Sequence, residues 1–181
     1  MKEIFLSFKP EYFKPILYGL KKYEYRKRFC NEEVCAYLYL SGNKRKVIGI
    51  MELGVPIRLD KTVDEYTNDT RRRVIDYINA RDVCAIPIKS LRLFESPLSL
   101  ESIRKSIPNF MPPQMYYILN NNIKLKELMK KQRLKECEFI HKHDKIYDDN
   151  LAMSVREIMK TPKYKEIDAV IDKMSDYKYI L

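Results

Sequence analysis

The sequence has no tryptophan, two histidines and four cysteines, and each scarcity removes a class of chemistry. With only His141 and His143, a histidine-based acid–base mechanism lacks its parts. The cysteines (Cys30, Cys35, Cys84 and Cys137) are scattered, which suits reduced thiols rather than a disulfide framework. Cys137, His141 and His143 form C-x3-H-x-H, and Cys30 with Cys35 forms C-x4-C. Structural zinc prefers four ligands in tighter pairs, so neither a metal nor another cofactor is expected. There is no Walker A loop, no dinucleotide-binding glycine fingerprint and no nucleophile elbow. The apolar runs fall far short of a membrane span, and Lys2 and Glu3 interrupt the start of the chain as they would not in a signal peptide. A cytoplasmic protein is the expectation.

What is present is an ordinary globular balance with a basic bias. The 181 residues are 45% hydrophobic and 33% charged, which suits one domain or one domain with an appendage. Lysine and arginine number 35 against 25 acidic residues, giving a net charge of +10. Such an excess favours phosphate polymers or acidic surfaces, although surplus lysines also simply solvate a surface. The 14 tyrosines offer stacking faces for bases, but tyrosine is equally a residue of half-buried sheets.

The patterning predicts an α+β fold. Glu3–Phe8 alternates as a strand. Pro10 then opens a short helix through Tyr18, which Gly19 stops. Val34–Leu40 and Lys46–Val55 read as a hairpin joined through Ser41-Gly42-Asn43, with two glycines in the second strand that allow bulges. Thr62 with Glu65 suggests a capping box for a polar helix running to about Ala80. Val83–Phe94 returns to strand with Pro87 at an edge or bulge, and Ser99 caps a short helix before Pro108. After Asn122 the strand signal fades, and three helices are expected. The last begins at Thr161-Pro162 and carries Ile167, Val170, Ile171 and Met174 at helical spacing. The division is therefore a domain over residues 1–120 and a helical extension over 121–181, which is also a candidate surface for protein interaction or homodimerisation.

Lys22–Arg28 holds the most informative pattern. In a strand, Lys22, Glu24, Arg26 and Arg28 share one face, and Tyr23, Tyr25 and Lys27 the other. Glu24 and Arg26 then lie about 7 Å apart. Arginine and lysine suit phosphate, and a glutamate accepts from the exocyclic amine of a base. The competing reading is a solvated sheet face with screened ion pairs. Lys21 is expected on the rim as a phosphate contact, since lysines stay exposed; in a desolvated cleft it would instead be a base. Gln114, on the stiff Pro112-Pro113 segment, is placed to offer its amide to a base edge, or else belongs to a loop covering the end of a barrel. The runs Lys44-Arg45-Lys46, Arg71-Arg72-Arg73 and Lys130-Lys131 with Arg133 are candidate phosphate-binding surface, provided that they face one way.

Ser7-Phe8-Lys9-Pro10, Ile16-Leu17, Gly19 and Lys21-Lys22-Tyr23-Glu24-Tyr25-Arg26, in this order, resemble the ASCH domain family of the PUA-like superfamily. The signature of that family is a helix ending in Gly-x-Lys-x-x-(Glu or Thr)-x-Arg. Val47-Ile48-Gly49, Cys84–Ile88 and Pro112-Pro113-Gln114 resemble its bacterial branch. The resemblance covers roughly residues 1–120. It implies a small PUA-like β-barrel surrounded by helices, with a cleft lined by the Gly19–Arg26 run, here followed by the α-helical C-terminal extension. It also implies RNA or a modified nucleoside as partner, with Ser7, Lys9, Lys21, Lys22, Tyr23, Glu24, Arg26 and Gln114 as binding residues. Some small ASCH proteins are amidohydrolases on acetylated cytidine that use a lysine, a threonine and an acidic residue. Lys21 and Arg26 match that pattern, whereas Glu24 stands at the threonine and no third, acidic member is evident. A carboxylate does not replace a hydroxyl in acyl transfer without changing the chemistry. A ribonuclease or other hydrolase using Lys21 and Glu24 is the alternative to a binding module.

Overall fold

The computed structural model describes residues 1–143 and 151–171. The chain runs β1 (Lys2–Phe8), α1 (Phe13–Leu17), β2 (Tyr23–Arg26), β3 (Val34–Leu40), β4 (Lys46–Leu53) and β5 (Ile57–Arg58). It continues through α2 (Leu59–Thr62), α3 (Asn68–Asn79), β6 (Cys84–Ser99), α4 (Leu100–Ser106), β7 (Tyr116–Ile118) and α5 (Ile123–Lys130). Last come β8 (Leu134–Ile140), α6 (Val155–Lys160) and α7 (Pro162–Ile171).

The strands form one curled half-barrel in the order β2-β6-β4-β3-β1-β7, with β5 and β8 also paired to β6. β1 and β3 are parallel, and the other pairs are antiparallel. The curl comes from bulges, one of them at Val47/Gly49, where β4 crosses β6. A Cβ on Gly49 would lie 2.2 Å from the Arg92 carbonyl oxygen, so only glycine fits this approach. β6 is the spine: its first residues pair with β2 and β5, and its later ones with β4 and β8.

Helices cover both faces, which explains why β1 is buried from Ile4 to Phe8 rather than alternating. Ile4, Leu6 and Phe8 pack with Phe13, Ile16 and Leu17 of α1, while Phe5 points the other way among Tyr39, Ile103 and Leu125. A third cluster joins Tyr23 to Leu59, Tyr66 and Val74, and it also holds Leu151 and Ala152.

The expected first strand, hairpin and helix stops are present. Gly19 takes a φ of +70° after α1, Ser99 accepts from the Ser102 amide at 3.0 Å, and Thr161 accepts from the Tyr164 amide at 3.2 Å. The Thr62–Glu65 capping box does not form: the Thr62 hydroxyl donates back to the Arg58 carbonyl instead. The reading of only helices after Asn122 is corrected by β8, an edge strand whose charged side chains stand in solvent and mask its period. The later helices pack onto the body of the fold, with Ile158 of α6 and Tyr164 of α7 buried in the cluster that holds β1. Met174 lies outside the described residues. Among the described residues, no helix is long and apolar enough to cross a membrane.

Candidate nucleotide-binding cleft

The turn at Gly19 brings Lys21 inward before β2 begins. The Leu20 and Lys21 amides both donate to the Pro15 carbonyl, so the chain doubles back tightly over the end of α1. Lys21 is 6% exposed, and Glu24 is 4% exposed. Glu24 sits between two cations, with Lys21 Nζ 3.4 Å from Oε2 and Arg26 Nε 2.8 Å from Oε1. Lys21 also donates to the Tyr23 carbonyl and stands 4.9 Å from the ring centre of Tyr25 and 5.6 Å from that of Tyr12. Arg26 Nη2 donates to the Ser7 carbonyl at 3.0 Å, and the Ser7 hydroxyl donates to the Pro113 carbonyl at 2.5 Å. One polar chain thus ties β2 to the end of β1 and on to the proline segment.

Two adjoining cavities open over this chain, with Lys9, Tyr12, Glu24, Tyr25 and Asp82 lining both. The inner lobe, about 470 Å³, adds Lys21 and Tyr77 and is bounded on one side by a wall over residues 154–159 that includes Val155, Arg156 and Met159. The outer lobe, about 660 Å³, adds Ser7, Arg26, Lys27, Ser41 and Gln114. Both volumes lie in the range of small-molecule sites.

The wall is firmly seated. The Ala152 amide donates to the Tyr25 hydroxyl at 2.6 Å, and Arg73 donates to the Leu151 carbonyl at 3.2 Å. Leu151 and Ala152 are buried, and Ser154 forms a reciprocal cap with Glu157 at the start of α6. Asp168 of α7 accepts from Lys14 and from the Tyr18 hydroxyl, tying the next helix to α1.

Burial lowers the pKa of Lys21, with the Glu24 charge opposing the shift. Burial raises that of Asp82, opposed by Arg26 and Lys21. A cation and a carboxyl facing one cavity are therefore both moved toward neutrality, the pattern by which sites assign acid and base roles. No cluster of metal-ligating side chains occurs among the described residues.

Ser7, Lys9, Lys21, Glu24, Arg26 and Gln114 are thus brought together, but Lys21 is buried rather than on the rim. Lys22 and Tyr23 are not at the cleft. Tyr23 is 2% exposed and packs against His143 and the cluster of Leu59, Tyr66 and Val74. Of the two tyrosines, Tyr25 is the one that lines the cavities. Asp82, Tyr12, Tyr77 and Lys27 were not foreseen. Asp82 follows Arg81, whose φ of +67° ends α3.

Parts of the basic runs stand in local ion pairs. Arg71 pairs with Asp64, Arg72 with Asp69 and Asp76, and Lys130 with Glu3.

Neither a family model nor a curated protein sequence matches the chain. Solved structures do match it. The crystal structure of ASCH from Zymomonas mobilis superposes with a TM-score of 0.51 at 21% identity, covering 72% of this chain and 96% of that one. Two point variants of the Zymomonas protein agree, at TM-scores of 0.52 and 0.51 and identities of 21% and 20%. The chain has the ASCH fold. At this identity the match establishes architecture, the PUA-like half-barrel with its helices. In this ASCH fold the cleft floor comes from β2 and its surroundings, while the inner wall comes from residues 154–159.

Proposed function

We propose that the protein binds RNA or a modified nucleoside in the cleft over Gly19–Arg26. The observation that carries this reading is the buried Lys21–Glu24–Arg26 cluster beside the Tyr25 ring, within a cavity of nucleoside scale. The Tyr12, Tyr25 and Tyr77 rings offer apolar faces to a base, and Asp82 offers a carboxyl to an exocyclic amine. The net charge of +10 favours a phosphate-bearing partner.

The test is a titration with labelled mixed-sequence single-stranded RNA at two salt concentrations, followed by inspection of the RNA, with cytidine and adenosine titrated in parallel. Salt-sensitive binding that Tyr25→Ala weakens supports the reading. Binding of RNA that Tyr25→Ala leaves unchanged would remove the cleft from it.

A hydrolase is the second reading, favoured by the opposed shifts of Lys21 and Asp82 across one cavity. Glu24, held by cations at both oxygens, suits positioning, and Asp82 suits the proton-accepting role in such a hydrolase. Cleaved RNA or a deacylated nucleoside in the presence of wild type, and its loss in Asp82→Asn with binding retained, would establish it.

A further inference from the structure

We propose that the cleft is polarised, the inner lobe taking the base and the outer lobe a phosphate, so that the ligand is a nucleotide or the end of an RNA chain rather than a bare nucleoside. This rests on the base-binding reading above and gives it a direction. The two lobes share a floor but differ in what each adds to it. The inner lobe adds the apolar Val155 and Met159 and the ring of Tyr77, and its charges are mixed, with Lys21 and Arg156 against Glu11. The outer lobe adds two cations, Arg26 and Lys27, and among the described residues no carboxylate of its own. The shared Glu24 is held by Lys21 and Arg26, so these charges offset one another within the floor; Asp82 and Lys9 line both lobes alike, and Lys27 is the exposed cation that only the outer lobe adds.

Around the outer lobe stand groups suited to phosphate oxygens. Lys9 and Lys27 are exposed, and neither makes an ion pair among the described residues. Ser41 and Gln114 add a hydroxyl and an amide. A phosphate turned inward would meet Glu11 and lose contact with Lys27. The wall at residues 154–159 acts in the same direction: anchored through Ala152 to Tyr25 and through Leu151 to Arg73, it bounds one side of the inner lobe, so the larger, more open outer lobe is the easier exit for a chain attached to the bound base.

The test is calorimetric titration of cytidine and of its 3′- and 5′-monophosphates at fixed salt into wild type, Lys27→Ala and Arg156→Ala. Both substituted side chains are exposed, so neither change disturbs the core. One monophosphate should bind about tenfold more tightly than cytidine, the order of one good charge-assisted contact. Lys27→Ala should narrow that ratio about threefold or more with cytidine affinity unchanged, whereas Arg156→Ala should leave the ratio as it is. A ratio near one in wild type overturns the proposal. So does a ratio lost in Arg156→Ala and kept in Lys27→Ala, which would put the phosphate in the inner lobe. Failure of wild type to bind either cytidine or a monophosphate would instead overturn the base-binding reading, and this inference with it.

Discussion

Lys21 and Arg72 both stand beside carboxylates, yet the two regions they represent behave as opposites. On the outer face of α3, Arg72 reaches Asp69 at 3.6 Å and Asp76 at 3.9 Å with all three side chains more than half exposed. Water competes at every contact, and such pairs contribute little. In the cleft, Lys21, Glu24 and Arg26 have given up most of their hydration, so each depends on the others. The difference shows that exposure, not formal charge, decides what an ion pair contributes: the cleft charges are largely withdrawn from water, whereas Arg71, Arg72 and Lys130 of the basic runs stand in exposed local pairs.

The sharpest way to break this contrast is Glu24→Ala. It leaves Lys21 and Arg26 facing each other without their counter-ion, and it should destabilise by about 3–5 kcal/mol. A thermal melt should then fall by about 10 °C. A loss below about 1 kcal/mol would place the cluster with the exposed pairs.

Burial away from the cleft supplies the second comparison. His141 is 7% exposed, and desolvation, with His143 and Lys22 acting in the same direction, lowers its pKa from 6.5 to about 4. The folded state therefore binds fewer protons than the unfolded chain between those values. The contribution of His141 to stability is complete above pH 6.5 and is lost as pH falls to about 4, by about 3 kcal/mol in all. Denaturant midpoints across this window should show the decline in wild type and a flatter profile in His141→Leu. Equal slopes in the two proteins would mean that the acid sensitivity lies elsewhere.

Smaller effects sharpen the picture. Gly19→Ala meets no neighbour within 4 Å, so its cost is the left-handed backbone alone, about 1 kcal/mol by chemical denaturation. Arg72→Ala should change stability by no more than about 0.5 kcal/mol, and a larger loss would show that the pairs on α3 act as a network.

Much of the framework was legible because its signals are local. Alternation marks β3 and β4, and Ser99 and Thr161 mark helix starts with their own hydroxyls. The strand at β8 was hidden because Lys135, Glu136 and Glu138 suit a helix as well as a solvent-facing edge. At the cleft, the Gly19–Arg26 run identified the floor, but the burial of Lys21 was invisible, since Lys21-Lys22 after a glycine reads as surface. Asp82 and the wall were hidden for a different reason: distant segments meet there, and no spacing within either one records the meeting.

That meeting makes floor and wall independent in sequence. The charged floor is built from residues 21–26, whereas the inner wall arrives on residues 154–159, held through backbone groups of Leu151 and Ala152. Substitutions along the wall can change its side chains without changing those backbone anchors. A change of side chain on the late segment can thus reshape one side of the cavity while the polar floor keeps its own contacts.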